Sequence, residues 1–386
     1  FTGFMKNYGW EPFVVTTKSE GSLGVKIPEE EILRVGENYY KEGIIEDNKW
    51  SGIPSFLMPA YLLYRVIGGE IWSIDRFLFT WGKEVKKAIE AVRRRDPDLI
   101  IGNCYPPVGI WLARFFAHKL NKPWVADFND PLSLWNNSPF FLSRWVDSFL
   151  DRWLVQSASG VISISGILAE QMRSLYRKEV AVVRNGFEKE LLGREHSLPV
   201  SEPPFLYYAG RLHEHRMDSV RLLIDWLADN REKNAKLLMR SLGPAYFNNE
   251  IHVLAKAKGI EDRVRILPPA SPEIISEEEE RAAALVLFED LKGLRRNFAG
   301  TLPGKLMEYL PFRAPIVAIA REDSEIGEIV RKAQRGYLVS GKDQLSEALE
   351  EVLRGNGMKF SAELVAEYSW EAQCKKLCGF LDSIVP

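Results

Sequence analysis

Short apolar runs alternate with amphipathic stretches along most of the chain. PFVVTT (12–17), DLIIGN (98–103), PWVADF (123–128), GVISIS (160–165) and VAVVRNG (180–186) read as strands. Between them, WGKEVKKAIEAVRRRD (81–96), GIWLARFFAHKL and FFLSRWVDSFLDRWLVQSA read as helices. Strands buried on both faces and separated by helices predict a parallel sheet in a doubly wound α/β domain. From Glu188 to Pro204 the text turns polar and proline-containing, as a linker does. The alternation restarts with FLYYAG (205–210), AKLLMR, RVRILP, AALVLF, PIVAIA and GYLVS. Two consecutive Rossmann-like domains are therefore expected. Residues 18–80 fit the pattern worst. Their later part, WSGIPSFLMPAYLLYRVIGGEIWSIDRFLF, reads as an irregular insertion with short helices.

The length, 386 residues, exceeds one ordinary core and agrees with two domains. A formal charge of -2 lacks the basic excess of a general nucleic-acid binder. Cys104, Cys374 and Cys378 are too few for a disulfide scaffold, and no histidine pair stands near the last two. Reduced thiols are expected, and a metal site is not. No apolar run reaches transmembrane length and no signal-peptide pattern opens the chain, so a cytoplasmic location is expected. FTGFMKNYGWEPFVVTT reads as a helix end without methionine, so the natural N-terminus is expected upstream.

In open parallel sheets, ligands bind beyond the carboxyl ends of strands, and a cleft between two such domains is the default site. In YYAGRLHEHRMD, Gly210 and Arg211 follow a strand directly and Arg216 precedes the next helix. Glycine permits close backbone approach, and two guanidiniums can neutralise a diphosphate; a pair of solvated surface arginines is the alternative. GTLPGKLMEYL (300–310) brings Gly300, Thr301, Leu302, Pro303 and Gly304 in front of a short helix that carries Lys305 and Glu308. Thr301 is expected to cap this helix and Pro303 to sit in its first turn. A free helix start and Lys305 suit phosphate, whereas Glu308, acceptor-only, suits a pair of ribose hydroxyls. A nucleoside diphosphate presents both needs. His118, His213, His215 and His252 have no partners at ligand or triad spacing.

With these segments the chain resembles the GT-B glycosyltransferases, in particular the family-4-like group that uses nucleotide diphosphate sugars. KPWVADFNDP is similar to that group's PWVADFRDPW, VISISGILAEQM and VAVVRNGFE to its VSEGLAE and VIPNGFD. TLPGKLMEYL is similar to PGKLFEYL, and EYSWEAQCKKL to the SWE helix near the C-terminus. The resemblance implies an N-terminal acceptor-side domain (1–190), a C-terminal nucleotide-sugar-binding domain (191–364) and a final helix (365–386) crossing back to the first. It also implies a retaining, metal-independent transfer without a bound cofactor, with Gly210, Arg211, Arg216 and the 300–308 segment on the donor. The acceptor is then a glycan or lipid-linked sugar in cell-surface polysaccharide assembly, and the protein a peripheral one at the inner face of the membrane.

Asp127 and Asp130 follow the PWVA strand, where this group implies a catalytic carboxylate; helix capping or domain bracing is the other reading. Three departures from the family pattern stand out. Gly300 replaces the first carboxylate of Glu-x7-Glu, Asn129 and Leu132 alter the DFRDPW pattern, and the first strand with its glycine-rich loop is absent. A nucleotide-sugar epimerase of the same fold and a non-catalytic sugar-nucleotide-binding module are the competing functions. Trp50, Phe56, Leu57, Tyr61, Leu62 and Tyr64 suggest an acceptor- or membrane-facing surface within residues 50–80, or else a local core.

Overall fold

The structure is a computed structural model; it describes residues 1–16, 27–35, 76–104, 108–129, 133–135, 141–193, 201–241, 243–293, 300–355 and 360–385. The chain divides into two compact units, residues 1–184 with 373–386, and residues 185–372. Both are parallel-sheet α/β units.

The first unit opens with two short parallel strands, β1 (Val14–Thr16) and β2 (Ile32–Arg34). β2 lies in the stretch expected to be irregular, and helix α1 (Arg76–Arg95) begins inside it as well. The sequence pattern missed β2 because three residues are too few to show a period. Residues 50–75, with the aromatic cluster from Trp50 to Tyr64, lie outside the described residues, as does Asp130. The main sheet follows in the simple order β3 (Ile100–Cys104), β4 (Trp124–Phe128), β5 (Gly160–Ser163) and β6 (Val180–Val182), all parallel. Between these strands run α2 (Val108–Leu120), α3 (Phe141–Val155) and α4 (Gly166–Tyr176). Ser165 caps α4, its hydroxyl accepting from the Leu168 N–H at 3.2 Å.

Alternation along β4 assigns its two faces. Trp124, Ala126 and Phe128 pack with Ile110, Ala113, Leu154 and Met172 of the helices on one side. Val125 packs on the other side with Ile162, Cys374, Leu377 and Leu381. Asp127 shares the Val125 face.

The second unit carries six parallel strands: β7 (Phe205–Gly210), β8 (Lys236–Ser241), β9 (Val264–Leu267), β10 (Ala284–Phe288), β11 (Ile316–Ile319) and β12 (Gly336–Val339). Their spatial order is β12-β11-β10-β7-β8-β9, the classical dinucleotide-fold order. β10 and β11 are buried at every position, which is why they read as unbroken apolar runs. The connecting helices are α5 (Met217–Asp229), α6 (Ala245–Ala257), α7 (Pro272–Arg281), α8 (Gly304–Tyr309), α9 (Glu325–Lys332) and α10 (Lys342–Leu353). The last helix, α11 (Trp370–Asp382), starts in this unit, and from Gln373 on it belongs to the first.

The order reverses between β7 and β10, which makes their junction the switch point of the sheet. There they pair over only two positions, Ala284 with Leu206 and Leu285 with Tyr207. Beyond Tyr207 the two strands no longer bond to each other. In open parallel sheets such a switch point is where a crevice forms at the carboxyl ends of the strands.

Candidate functional site

The sequence-predicted cations gather around this switch point. Arg211 follows β7 and is exposed, with no ion-pair partner among the described residues. Arg216 ends a single helical turn, Glu214–Arg216, that leads into α5. Its Nη1 donates to the Arg211 carbonyl at 3.0 Å, and its Nη2 lies 2.7 Å from Glu289 Oε1. Glu289 directly follows β10 and is 3% exposed. Burial pushes its carboxyl up to about 7 even though Arg216 pulls the other way. Asp290, equally buried, turns Oδ1 to the N–H groups of Lys292 and Gly293 at 2.9 and 3.0 Å. Ser219, in the first turn of α5, donates its hydroxyl to the Glu289 carbonyl and fixes that loop from behind.

Gly210 serves a neighbour. A Cβ there would stand 2.9 Å from the Tyr208 hydroxyl, which donates to the Arg211 carbonyl at 3.0 Å. The Arg211 backbone is thus held by two donors, Tyr208 and Arg216.

Lys305 is clamped on three sides. Its Nζ lies 2.5 Å from Glu308, 3.6 Å from Glu279 of α7 and 5.7 Å from the Tyr309 ring centroid. Glu308 is exposed, so this pair is the one-turn neighbour pair that the spacing suggests. Glu279 is 4% exposed; burial pushes it up to about 7, with Lys305 lowering and Glu308 raising its tendency to hold a proton. The Tyr309 hydroxyl accepts from the Ala209 N–H at 3.2 Å, the donor that β10 leaves unpaired as the strands diverge. Tyr309 thereby joins the Lys305 helix to the end of β7, where Arg211 begins.

Two expectations about this segment are wrong: Thr301 does not cap the helix, and Pro303 precedes its first turn. Helix α8 starts at Gly304 with Pro303 as its N-cap residue, and no side chain caps it. Pro303 has an extended ψ of 137°, so Thr301 stands two residues before the cap, out of reach of the first turn. Its Oγ1 is buried without a hydrogen-bond partner among the described residues. Gly300 and Leu302 are buried, while Gly304 is exposed. The other end of α8 is braced by Arg335, fully buried, whose guanidinium donates to the carbonyls of Leu310, Phe312 and Ala314. A cation on the carbonyls past a helix end satisfies orphan acceptors and complements the dipole.

In the first unit, Asp127 Oδ2 accepts from Asn103 Nδ2 of β3 at 2.9 Å. Burial pushes this carboxyl up to about 6, against the lowering effect of the Asn103 hydrogen bond. His213 and His215 stack with centroids 5.4 Å apart.

Glu279, Glu289, Tyr309, Arg335 and Asn103 were not singled out from the sequence. Glu289 had a signal, a carboxylate immediately after an apolar strand at the switch point. Glu279 had none, because the run SEEEER reads as a solvated helix face.

A chain with this fold and a cation set at the switch point is a nucleotide-binding α/β protein. The model of Glycosyltransferase Family 4 matches residues 9–191, and that of Glycosyl transferases group 1 matches residues 203–355. The chain belongs to the family-4-like, group 1 glycosyltransferases of GT-B fold. No protein of curated function matches it by sequence. Among solved structures it is similar to Anabaena HepE crystallised with UDP and glucose, 16% identical with TM-score 0.63 over 96% of this chain and 99% of that one. It is also similar to sucrose-phosphate synthase from Thermosynechococcus elongatus, 14% identical with TM-score 0.62 over 99% and 91%. A glycosyltransferase from Rickettsia africae is 11% identical, with TM-score 0.63 over 99% and 92%.

Proposed function

We propose that the protein transfers a sugar from a nucleotide diphosphate donor to a glycan or lipid-linked acceptor in cell-surface polysaccharide assembly, with retention of anomeric configuration and without a metal ion. The second unit binds the donor. Arg211, Arg216 and Lys305 take the diphosphate, Glu308 takes the ribose hydroxyls, and main-chain N–H groups around Thr301 and Leu302 take the sugar in place of the carboxylate that Gly300 lacks. The observation that carries this reading is the gathering of the three cations at the carboxyl ends of β7 and β10, two of them backed by the buried Glu289 and Glu279. A buried carboxylate behind each cation fixes its direction and leaves its remaining N–H groups for a ligand. The UDP and glucose held by Anabaena HepE support a uridine nucleotide as the first donor to try.

On the acceptor side, Asp127 takes the proton of the attacking hydroxyl or holds the donor sugar, with Asn103 orienting it. Asp130 is proposed to share this role.

The test is incubation with UDP-sugars and an oligosaccharide acceptor, following nucleotide release and product linkage. Transfer that requires acceptor supports the proposal. A sugar changed without acceptor would make the protein an epimerase; donor binding with neither outcome would make it a binding module.

A further inference from the structure

Helix α7 has no buried apolar anchor. Of its ten residues the buried one is Glu279; Ile274 is 46% exposed and Ile275 is half-buried. A helix normally takes its rotation from an apolar stripe laid on the core. α7 takes its rotation from polar contacts, and these converge on Glu278. Arg240 of β8 grips both Glu278 oxygens, Nε donating to Oε2 and Nη2 to Oε1, each at 2.6 Å. The Tyr207 hydroxyl of β7 donates to Oε2 at 2.7 Å. The remaining guanidinium nitrogen, Nη1, donates to the Pro268 carbonyl in the segment that leads into α7. Tyr207 is fully buried, and the Arg240 and Glu278 side chains are 11 and 19% exposed. A bidentate pair of this kind fixes direction as well as distance.

Successive helical residues point about 100° apart. With Glu278 held against β7 and β8, the next residue, Glu279, turns to Lys305 Nζ at 3.6 Å, while Glu277 stays exposed and Glu280 half-buried. Lys305 thus stands between a buried carboxylate and the exposed Glu308. A carboxylate is better solvated in water than in a buried site, so nothing apolar keeps Glu279 inside. Released from Arg240, α7 would roll Glu279 outward, and Lys305 would keep only Glu308 as an ionic partner. Arg240 itself has all three nitrogens engaged within the unit.

We propose that Arg240 is a positioning residue for the donor diphosphate. It acts through Glu278: the pair sets the rotation of α7, α7 presents Glu279, and Glu279 aims Lys305. The inference rests on the reading of Lys305 as a diphosphate ligand.

Calorimetry of the full chain with UDP, and with inorganic pyrophosphate, which needs no particular base, tests it. Lys305→Met should weaken binding about tenfold or more, the loss of a charge-assisted contact. Arg240→Met should weaken it by roughly tenfold, since a misdirected cation keeps only part of that contact. The double variant should bind no worse than Lys305→Met alone, because the cation that Arg240 positions is gone. A general loosening of the fold would instead multiply the two losses. Tyr207→Phe removes one donor to Glu278 and keeps the ring. It should cost a few-fold in affinity, again only while Lys305 is present, and it carries the test where Arg240→Met does not fold. Parent-like affinity in both Arg240→Met and Tyr207→Phe overturns the proposal, as do losses that multiply with that of Lys305→Met; the donor site then stands as described. Parent-like affinity in Lys305→Met would overturn the donor-site reading itself, and this inference with it.

Discussion

Two carboxylates at strand ends, one in each unit, have been treated differently. Asp127 near the end of β4 and Glu289 just beyond β10 are both raised by burial, to about 6 and about 7. Asp127 leans on a neutral amide, Asn103, and Glu289 on a guanidinium, Arg216. The guanidinium partner gives Glu289 a cation to aim, whose remaining donors can turn to an anion. The amide partner holds Asp127 in place without fixing its charge, so its protonation follows the surroundings. A group that exchanges a proton during turnover needs that freedom; a group that aims a cation does not. The difference teaches that the partner, more than the burial, decides what a strand-end carboxylate is fit for.

The sharpest way to break this contrast is Asp127→Asn. Turnover should fall by roughly 10²–10⁴ while donor affinity in calorimetry stays unchanged. In the parent, activity should rise as pH increases through about 6, where Asp127 loses its proton. A matching loss of donor affinity would make Asp127 part of the donor site.

Stability should follow the opposite course with pH. Glu279 and Glu289 titrate near 4.5 when unfolded and about 7 when folded, so between these values the folded chain holds protons that the unfolded chain has released. Unfolding free energy therefore falls as pH rises from 4.5 to 7, by on the order of 3 kcal/mol for each group, and the loss is complete above 7. Urea titrations across this range should show the slope, and Glu279→Gln with Glu289→Gln should flatten it.

Arg216→Met removes a charge-assisted contact of about 1.5–3 kcal/mol and should weaken nucleoside diphosphate binding by one to two decades. It also strands Glu289, so the fold should be destabilised as well. Adding Glu289→Gln should restore stability but not affinity, which a double-mutant cycle would read.

Glu308→Gln should have the smallest effect, about a tenfold loss of nucleoside diphosphate affinity. Inorganic pyrophosphate, which has no ribose, should bind the variant no worse than the parent. Equal losses for both ligands would reassign Glu308 to holding Lys305.

The strands of the second unit were legible because a run buried on both faces leaves no periodicity to misread: FLYYAG is β7 residue for residue. Lys305, Arg211 and Arg216 were legible because each stands at a strand end or helix start. Glu279 was not, since which of four consecutive glutamates turns inward depends on how α7 is rotated against the sheet. Nor was the cap of α8, because Gly-Thr-Leu-Pro-Gly offers two candidate start points and only the backbone chooses between them. The aromatic run of α3 carried a helical period, but its direction shows only in the fold, where Asp147 and Asp151 are buried. Periodicity reveals a stripe and cannot say which side is wet.

The Tyr309 hydroxyl has a kinetic consequence. The Ala209 N–H is held by a side chain rather than by a neighbouring strand. Its exchange with solvent deuterium therefore requires no strand separation, only a shift of the short helix that also carries Lys305 and Glu308. Ala209 becomes a clock for that helix, ticking at the rate at which the Lys305 segment lifts from the sheet. A ligand that grips Lys305 should slow it, while leaving the amides of β11, deep in the same sheet, on their own slower schedule.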